Sequence, residues 1–134
     1  MELASKTHRG SVLIVEPDLK ARERLCARIS ARLSRPVFAA GNADEALELL
    51  GKHEFDLIIS ERKLSGQSGT TILNEVMKRG FVVPFIFFTG SDFSRSDLRI
   101  YDYPVEIIHK PNEGDLLSVV GLLLGCDPLP KAGT

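Results

Sequence analysis

Short apolar runs alternate along this chain with segments of helical period, and this alternation limits the possible folds more than any other feature. The runs with strand character are 12–15, 37–40, 55–60, 82–88 and 105–108. The segment 18–33 shows the helical period, because Leu25, Ile29 and Leu33 recur at four-residue spacing among charged residues. Strict alternation of this kind favours a parallel sheet covered by helices. We therefore predict five strands in one parallel sheet.

The remaining helices follow from caps and breakers. Asn42, followed three residues later by Glu45, predicts the start of a second helix, and 71–79 and 112–124 predict the third and fifth. A fourth helix between residues 91 and 103 should be short or irregular, because Pro104 disfavours helical geometry in the residue before it. With right-handed crossovers these elements make an α/β, doubly wound, flavodoxin-like three-layer sandwich with strand order 2-1-3-4-5.

Length and composition favour a single domain. A chain of 134 residues with 43% hydrophobic residues can bury one core. We place the domain at 11–125, between an N-terminal tail, 1–10, and a C-terminal tail or linker, 126–134. The net charge of -1 gives no reason to expect direct nucleic-acid binding. There is no apolar run long enough for a signal peptide or a membrane span, so we expect a cytoplasmic protein with reduced Cys26 and Cys126.

Polar side chains stand where four of the predicted strands end. Glu16 follows the first strand, Glu61 the third, Thr89 closes the fourth and Lys110 follows the fifth. Ligands of doubly wound sheets bind beyond the carboxyl ends of the strands. Two carboxylates, a hydroxyl and an ammonium are therefore expected at one rim.

These positions, taken in order, resemble the receiver domain of two-component response regulators over nearly the whole chain. The resemblance rests on the following residues: Val12-Leu13-Ile14-Val15, Arg22, Ala40, Glu45-Ala46-Leu47, Asp56-Leu57-Ile58-Ile59, Gly69, Pro84, Thr89-Gly90, Lys110-Pro111 and Asp115-Leu116. In that family an aspartate after the third strand accepts a phosphoryl group from a histidine kinase, and an acid pair after the first strand holds Mg²⁺. The resemblance assigns Thr89 and Lys110 to the phosphoryl-binding hydroxyl and cation.

The sequence departs from the family pattern at three points. Glu61 stands at the phosphoacceptor position, and Pro17 takes the second place of the acid pair after Glu16. Ile107 stands where the family has an aromatic residue that swings inward on activation. Asp18 could assist a metal, but Mg²⁺ requires near-octahedral oxygen ligands. Any metal would be held by Glu16, Asp18 and Glu61, and we expect no cofactor unless the pocket is functional, when it would be Mg²⁺.

We therefore expect an atypical receiver, or pseudo-receiver: a protein-interaction module, not an enzyme, that signals without phosphorylation. Glu61 could reach Lys110 or Thr89 and imitate a phosphoaspartate, or it could form an ion pair with Lys110 that only holds the strand ends together. The alternative is an active receiver that takes a phosphoryl group in a Mg²⁺-dependent reaction, on Glu61 or on a serine such as Ser60 or Ser65. A flavodoxin-like cofactor site is excluded, because the acids around Pro17 would repel phosphate.

Two surfaces are candidates for partners. The fifth helix is apolar around much of its circumference, so Val119 or Leu122 should be exposed and mark a protein or homodimer contact, unless the C-terminal tail covers them. The resemblance implies such contacts through helix four, strand five and helix five. The basic stripe of the first helix is a solvated face or a histidine kinase contact; its members are Lys20, Arg24, Arg28 and Arg32. His8, His53 and His109 are too scattered for a metal site, and His109 should point away from the rim.

Overall fold

The computed structural model describes residues 10–98 and 103–125. The predicted tails, apart from Gly10 at the end of the first, lie outside the described residues, as do His8 and Cys126. The strands are β1 Ser11–Val15, β2 Val37–Ala40, β3 Phe55–Ser60, β4 Lys63–Leu64, β5 Gln67–Ser68, β6 Phe85–Thr89 and β7 Val105–His109. The helices are α1 Leu19–Ser30, α2 Ala43–Leu50, α3 Gly69–Lys78 and α4 Glu113–Leu124, with a 3-10 helix at Arg95–Leu98.

Five of the strands form one parallel sheet in the order β2-β1-β3-β6-β7. Counting these five alone, this is the predicted order 2-1-3-4-5, and the doubly wound α/β fold is confirmed. The two-residue strands β4 and β5 form an antiparallel hairpin between β3 and α3 that the sequence analysis did not predict. The hairpin connects the end of β3 to the first turn of α3.

The core consists of two apolar clusters, one on each face of the sheet. Alternation along β1 separates them, since Leu13 and Val15 belong to one cluster while Val12 and Ile14 belong to the other. Residues of α2 and α3 complete the first cluster, and residues of α1 and α4 complete the second. The four apolar side chains of β1, at positions 12–15, are at most 1% exposed. Each buried aliphatic side chain contributes about 1.5–3 kcal/mol, so this strand is fixed from both faces.

Helix starts follow local side-chain chemistry. The Asn42 side chain accepts a hydrogen bond from the Glu45 N–H at 2.8 Å, and the Glu45 carboxylate accepts one from the Gly41 N–H at 2.7 Å. The start of α2 at Asn42 is therefore as predicted and resembles a capping box, with the Glu45 carboxylate bonded to the N–H of Gly41 instead of that of the cap residue. Helix α3 begins at Gly69, two residues before the predicted start, because the Ser68 hydroxyl caps the N–H of Thr70.

Other boundaries differ from prediction where proline intervenes. Strand β6 begins at Phe85 and not at residue 82, because Pro84 has no N–H for the sheet and Val82 is 78% exposed. Helix α1 ends at Ser30, ahead of the predicted 33, with a tighter turn before Pro36. Within the predicted fourth helical segment the structure describes a 3-10 helix, Arg95–Leu98, so the segment is irregular, as expected. Within the described residues no helix has the length and apolar character needed to cross a membrane.

Candidate functional site

The carboxyl ends of the central strands bring four predicted residues to one rim. Strand pairing aligns Val15 with Ser60, so Glu16 and Glu61 leave neighbouring strands side by side. Thr89 is the last residue of β6 and is fully buried, and Lys110 directly follows β7. The main chain ties these ends together, because the Lys110 N–H donates to the Thr89 carbonyl at 2.9 Å.

The ammonium of Lys110 lies between the two carboxylates. Its Nζ is 2.8 Å from Glu16 Oε1 and 2.9 Å from Glu61 Oε1. The carboxylate side chains are well shielded, at 5% exposed for Glu16 and 12% for Glu61, while that of Lys110 is 29% exposed. Shielded charges need hydrogen-bonded partners because each one alone would carry a large desolvation cost. One cation thus pairs with both acids, and we call this group the Lys110 triad.

The second oxygen of Glu61 is directed to the main chain. Glu61 Oε2 accepts hydrogen bonds from the Arg62 N–H at 2.6 Å and the Lys63 N–H at 3.3 Å. Burial by itself would raise the pKa of Glu61, but the Thr89 hydroxyl, the Lys110 ammonium and the Arg62 N–H outweigh burial and lower it. Burial would likewise lower the pKa of Lys110, but Glu16 and Glu61 raise it. Both groups are therefore charged at neutral pH.

The acidic turn after β1 is organised around α1. Asp18 is exposed, and its carboxylate caps α1 by accepting from the Ala21 N–H at 2.8 Å. Glu16 Oε2 accepts from the Asp18 N–H at 3.1 Å, and the Arg22 guanidinium donates to the Glu16 carbonyl at 2.8 Å. Pro17, between the acids, supplies no side-chain oxygen. Asp18 therefore serves the helix, and the sequence signal for this role was the start of α1 immediately after it.

The carboxylates present do not fit a magnesium ion bound in the manner of the family. The Glu16 and Glu61 oxygens already accept from protein donors, and the Lys110 ammonium stands between them. A magnesium ion would have to displace that ammonium and recruit a ligand from the position of Pro17. In residues 10–98 and 103–125 no group of three or more histidine, cysteine or acidic side chains is placed to hold a metal.

A shallow depression of ≈ 410 Å³ opens over the triad. It is lined by Glu16, Pro17, Asp18, Glu61, Lys63, Gly90 and Ser91. The hydroxyls of Thr89 and Ser91 are 2.9 Å apart, and the Ser91 N–H donates to the Thr89 hydroxyl at 3.1 Å. The loop that carries these hydroxyls is thus fixed against the end of β6.

The two serines considered as phosphoryl acceptors differ in access. Ser60 is fully buried and donates its hydroxyl to the Glu61 carbonyl at 2.8 Å, whereas Ser65 is exposed in the β4–β5 turn.

Gly69 shows how closely the main chain packs beside Glu61. A Cβ at Gly69 would lie 2.4 Å from the Glu61 carbonyl oxygen, so only glycine fits there.

The position expected to hold a switch aromatic has a different arrangement. Ile107 on β7 is partly buried, pairs with Phe87 of β6 and packs against the core cluster. A buried aromatic comes instead from the loop after β6, where Phe93 is 3% exposed and lies edge-on to Phe87 with centroids 5.1 Å apart. The Arg62 guanidinium covers Phe93 at 4.4 Å from the ring centroid. Arg62 and Phe93 were not among the predicted site residues, because they are too far apart in sequence for any local pattern to pair them.

The two surfaces predicted to bind partners lie on α4 and on α1. On α4, Leu122 is 86% exposed and Leu123 is 40% exposed, while Val119 is half-buried against the core. On α1, Arg24 and Arg28 reach across to Glu113 at 3.2 Å and 3.0 Å, so part of the basic stripe pairs with the first turn of α4. Of the three histidines, His53 stacks on Phe38 and His109 is exposed.

Fold and rim together define a doubly wound, flavodoxin-like α/β domain with a charged rim at the carboxyl ends of its strands. The model of a known family, described as the response regulator receiver domain, matches residues 12–120 of the chain's 134. The chain therefore belongs to the response regulator receiver family and is a domain of two-component signalling.

Solved receivers share the fold at the level of the whole domain. The chain superposes with a TM-score of 0.77 and 26% identity on the signal receiver domain of an HD domain-containing protein from Pseudomonas fluorescens Pf-5, covering 88% of this chain and 96% of that one. It is similar also to the response regulator TrrA from Thermotoga maritima, solved in complex with Mg²⁺-BeF, with a TM-score of 0.75 and 25% identity over 87% of this chain and 100% of that one.

A curated relative extends well beyond the matched region. The chain is 31% identical over 100 residues to the probable transcriptional regulator ycf29 of Pyropia yezoensis, a match that covers 72% of this chain and 45% of the relative. The chain thus spans about half the length of that relative.

Proposed function

We propose that this receiver acts in signal transduction as a phosphorylation-independent protein-interaction module, not as an enzyme. The observation that carries the proposal is the Lys110 triad. The ammonium that would pair with an incoming phosphoryl group is already 2.9 Å from Glu61, and the same ammonium holds Glu16 at 2.8 Å. Both sites of the family reaction, metal and acceptor, are thus engaged by one side chain.

The chemistry of the acceptor position supports the same proposal. The Glu61 carboxylate is hydrogen-bonded through both oxygens, and its lowered pKa reflects how strongly these contacts favour a fixed carboxylate. Attack on a phosphodonor would require the carboxylate to leave these donors while no metal neutralises the incoming charge. We therefore expect the charge of the rim to stay constant during signalling, and we expect the domain to need no cofactor.

The active receiver is the second candidate, favoured by the retained Thr89 and Lys110 and by the likeness to a receiver that binds Mg²⁺-BeF. Incubation with a small phosphodonor and Mg²⁺, followed by mass spectrometry of the intact protein, distinguishes the two candidate functions. We expect no added phosphoryl group on the natural chain. The matched control is the double variant Glu61→Asp, Pro17→Asp, which restores the family's acids and should gain one phosphoryl group. Addition of phosphoryl to the natural chain would overturn the proposal.

The proposed partner is a protein that binds at the α4 surface, because the apolar side chains of Leu122 and Leu123 are exposed there. A homodimer through the same surface, and a histidine kinase at α1, are the other arrangements that the family implies. Light scattering of Leu122→Glu beside the natural chain tests the homodimer, because the added charge should dissociate it. A chain that is monomeric at high concentration leaves the foreign protein partner.

Whether Glu61 imitates a phosphoaspartate is a separate question from whether the domain is phosphorylated. Glu61→Gln keeps the size of the side chain and removes its charge, while Glu61→Asp keeps the charge and shortens its reach. Once a partner is in hand, mimicry predicts weaker binding by both variants. Unchanged affinity in both would leave Glu61 as an ion-pair partner that holds the strand ends together.

A further inference from the structure

We propose that Arg62 and Phe93 link the rim to the loop after β6. Through this link, the conformation of the loop and of the surface between the loop and β7 depends on Glu61. This inference deepens the proposed function, since a domain that is not switched by phosphate needs another means of fixing its signalling surface. Arg62 is a positioning residue in this scheme. It follows Glu61 directly and contacts both the rim and the loop.

The Arg62 main chain is held from both sides. Its N–H donates to Glu61 Oε2 at 2.6 Å, and its carbonyl accepts from the Gly69 N–H at 2.6 Å. Since Gly69 has no room for a side chain, this segment cannot shift without moving the start of α3. The direction in which the Arg62 side chain leaves the main chain is therefore set by Glu61 and Gly69.

The Arg62 side chain then covers a buried ring. Its guanidinium lies 4.4 Å from the centroid of Phe93, which is 3% exposed and packs edge-on against Phe87. A cation over an aromatic face is attractive, and more so where water is excluded. Phe93 thereby anchors the middle of the loop that begins at Thr89.

The far end of the same loop is fixed to β7. The Arg95 guanidinium donates to the Val105 carbonyl at 2.7 Å and to the Tyr103 carbonyl at 3.1 Å. Phe93, Arg95 and the first residues of β7 line a surface groove of ≈ 540 Å³. A change at Glu61 therefore reaches this groove through Arg62 and Phe93, without the aromatic that the family carries at position 107.

Amide hydrogen exchange of the full chain, followed by mass spectrometry, tests the link. Arg62→Ala should speed exchange in residues 90–95 roughly tenfold, the effect of losing a partly desolvated cation–aromatic contact. Arg62→Lys, which keeps a cation, should restore part of the protection. The matched control is Arg79→Ala, since Arg79 pairs with Glu75 on the surface of α3 and should leave the loop unchanged.

Glu61→Gln tests transmission from the rim, because it weakens the contact that orients Arg62. We expect faster exchange in residues 90–95, and no further effect of Glu61→Gln once Arg62→Ala is present. Exchange in that loop within twofold of the natural chain in Arg62→Ala, or equal effects of Glu61→Gln with and without Arg62, would overturn the inference. Because no phosphodonor is used, this result stands apart from the phosphorylation test: a chain that accepts phosphoryl could still show the link, and an inert chain could lack it.

Discussion

Replacing Lys110 by methionine should expose how much of the rim depends on one cation. Lys110→Met keeps most of the side-chain volume but leaves Glu16 and Glu61 facing each other without a positive partner. Removing one member of a buried ion pair costs about 3–5 kcal/mol. The Lys110 side chain is 29% exposed, so water compensates part of the loss, and we expect about 2–3 kcal/mol at neutral pH.

The pH dependence has a definite sign. The pKa of Glu61 is lowered in the folded chain, so its contribution to stability is present above the ordinary glutamate pKa and disappears as the pH falls through the folded value. The pKa of Lys110 is raised, so its contribution is present below the ordinary lysine pKa and disappears as the pH rises through the folded value. The difference between natural chain and variant should therefore be largest between these limits and shrink on acidification.

Urea unfolding followed by circular dichroism measures this difference. With typical urea slopes, the midpoint should fall by about 1–2 M at neutral pH. Lys52→Met is the control, because Lys52 and Glu48 form an exposed pair with side chains 63% and 67% exposed, and such pairs contribute at most about 1 kcal/mol. Adding Glu61→Gln to Lys110→Met should recover part of the loss.

Two results would refute this reasoning. Equal destabilisation by Lys110→Met and Lys52→Met would mean that the triad is not a shielded charge network. A loss at Lys110 that stays constant on acidification would assign the effect to the contact of the ammonium with the Phe88 ring, whose centroid lies 5.9 Å away, and not to the carboxylates.

Three further substitutions test the packing and capping of the fold. Gly69→Ala should destabilise the domain by about 1–3 kcal/mol in thermal unfolding, because the added Cβ would lie 2.4 Å from a main-chain oxygen. Gly114→Ala is the control, since open space surrounds Gly114 and the substitution should be neutral or stabilising. Equal effects of the two substitutions would contradict the close packing at Gly69. Tyr103→Phe should cost about 1–3 kcal/mol in urea unfolding, because the buried hydroxyl that accepts from the Val83 N–H at 2.9 Å is lost; a neutral result would show that water replaces it. Asn42→Ala should cost about 1 kcal/mol by removing the cap of α2, and unchanged stability would mean that the cap contributes nothing.

The fold was predictable because hydrophobic period changes sharply along the chain. The central strands β1 and β6 are buried on both faces and read as nearly continuous apolar runs, and the helices α1, α2 and α3 each bury one apolar stripe. Boundaries were less predictable where an apolar residue continues a run without joining the sheet. Val82 is such a residue, since it is followed within two positions by Pro84 and stays in solvent.

The positions of the rim residues and the contact between Glu61 and Lys110 were predictable, but the second contact of Lys110 with Glu16 was not. Strand ends placed Glu16, Glu61 and Lys110 at one edge, yet whether the ammonium meets one carboxylate or both depends on side-chain conformations that no sequence period encodes. The linkage of Arg62 to Phe93 is of the same kind, because it joins a turn to a distant loop through the core. Asp18 differs, since its role as a cap follows from its place immediately before a helix.

A positive charge that is covalently part of the chain behaves differently from an exchangeable ion. The Lys110 ammonium sits at the rim at an effective concentration fixed by folding, and a chelator cannot withdraw it. On the proposed function, the strength of the signal then follows how many copies of the folded chain are present. The signal would then be controlled by the synthesis and turnover of the protein and not by a reaction at the rim.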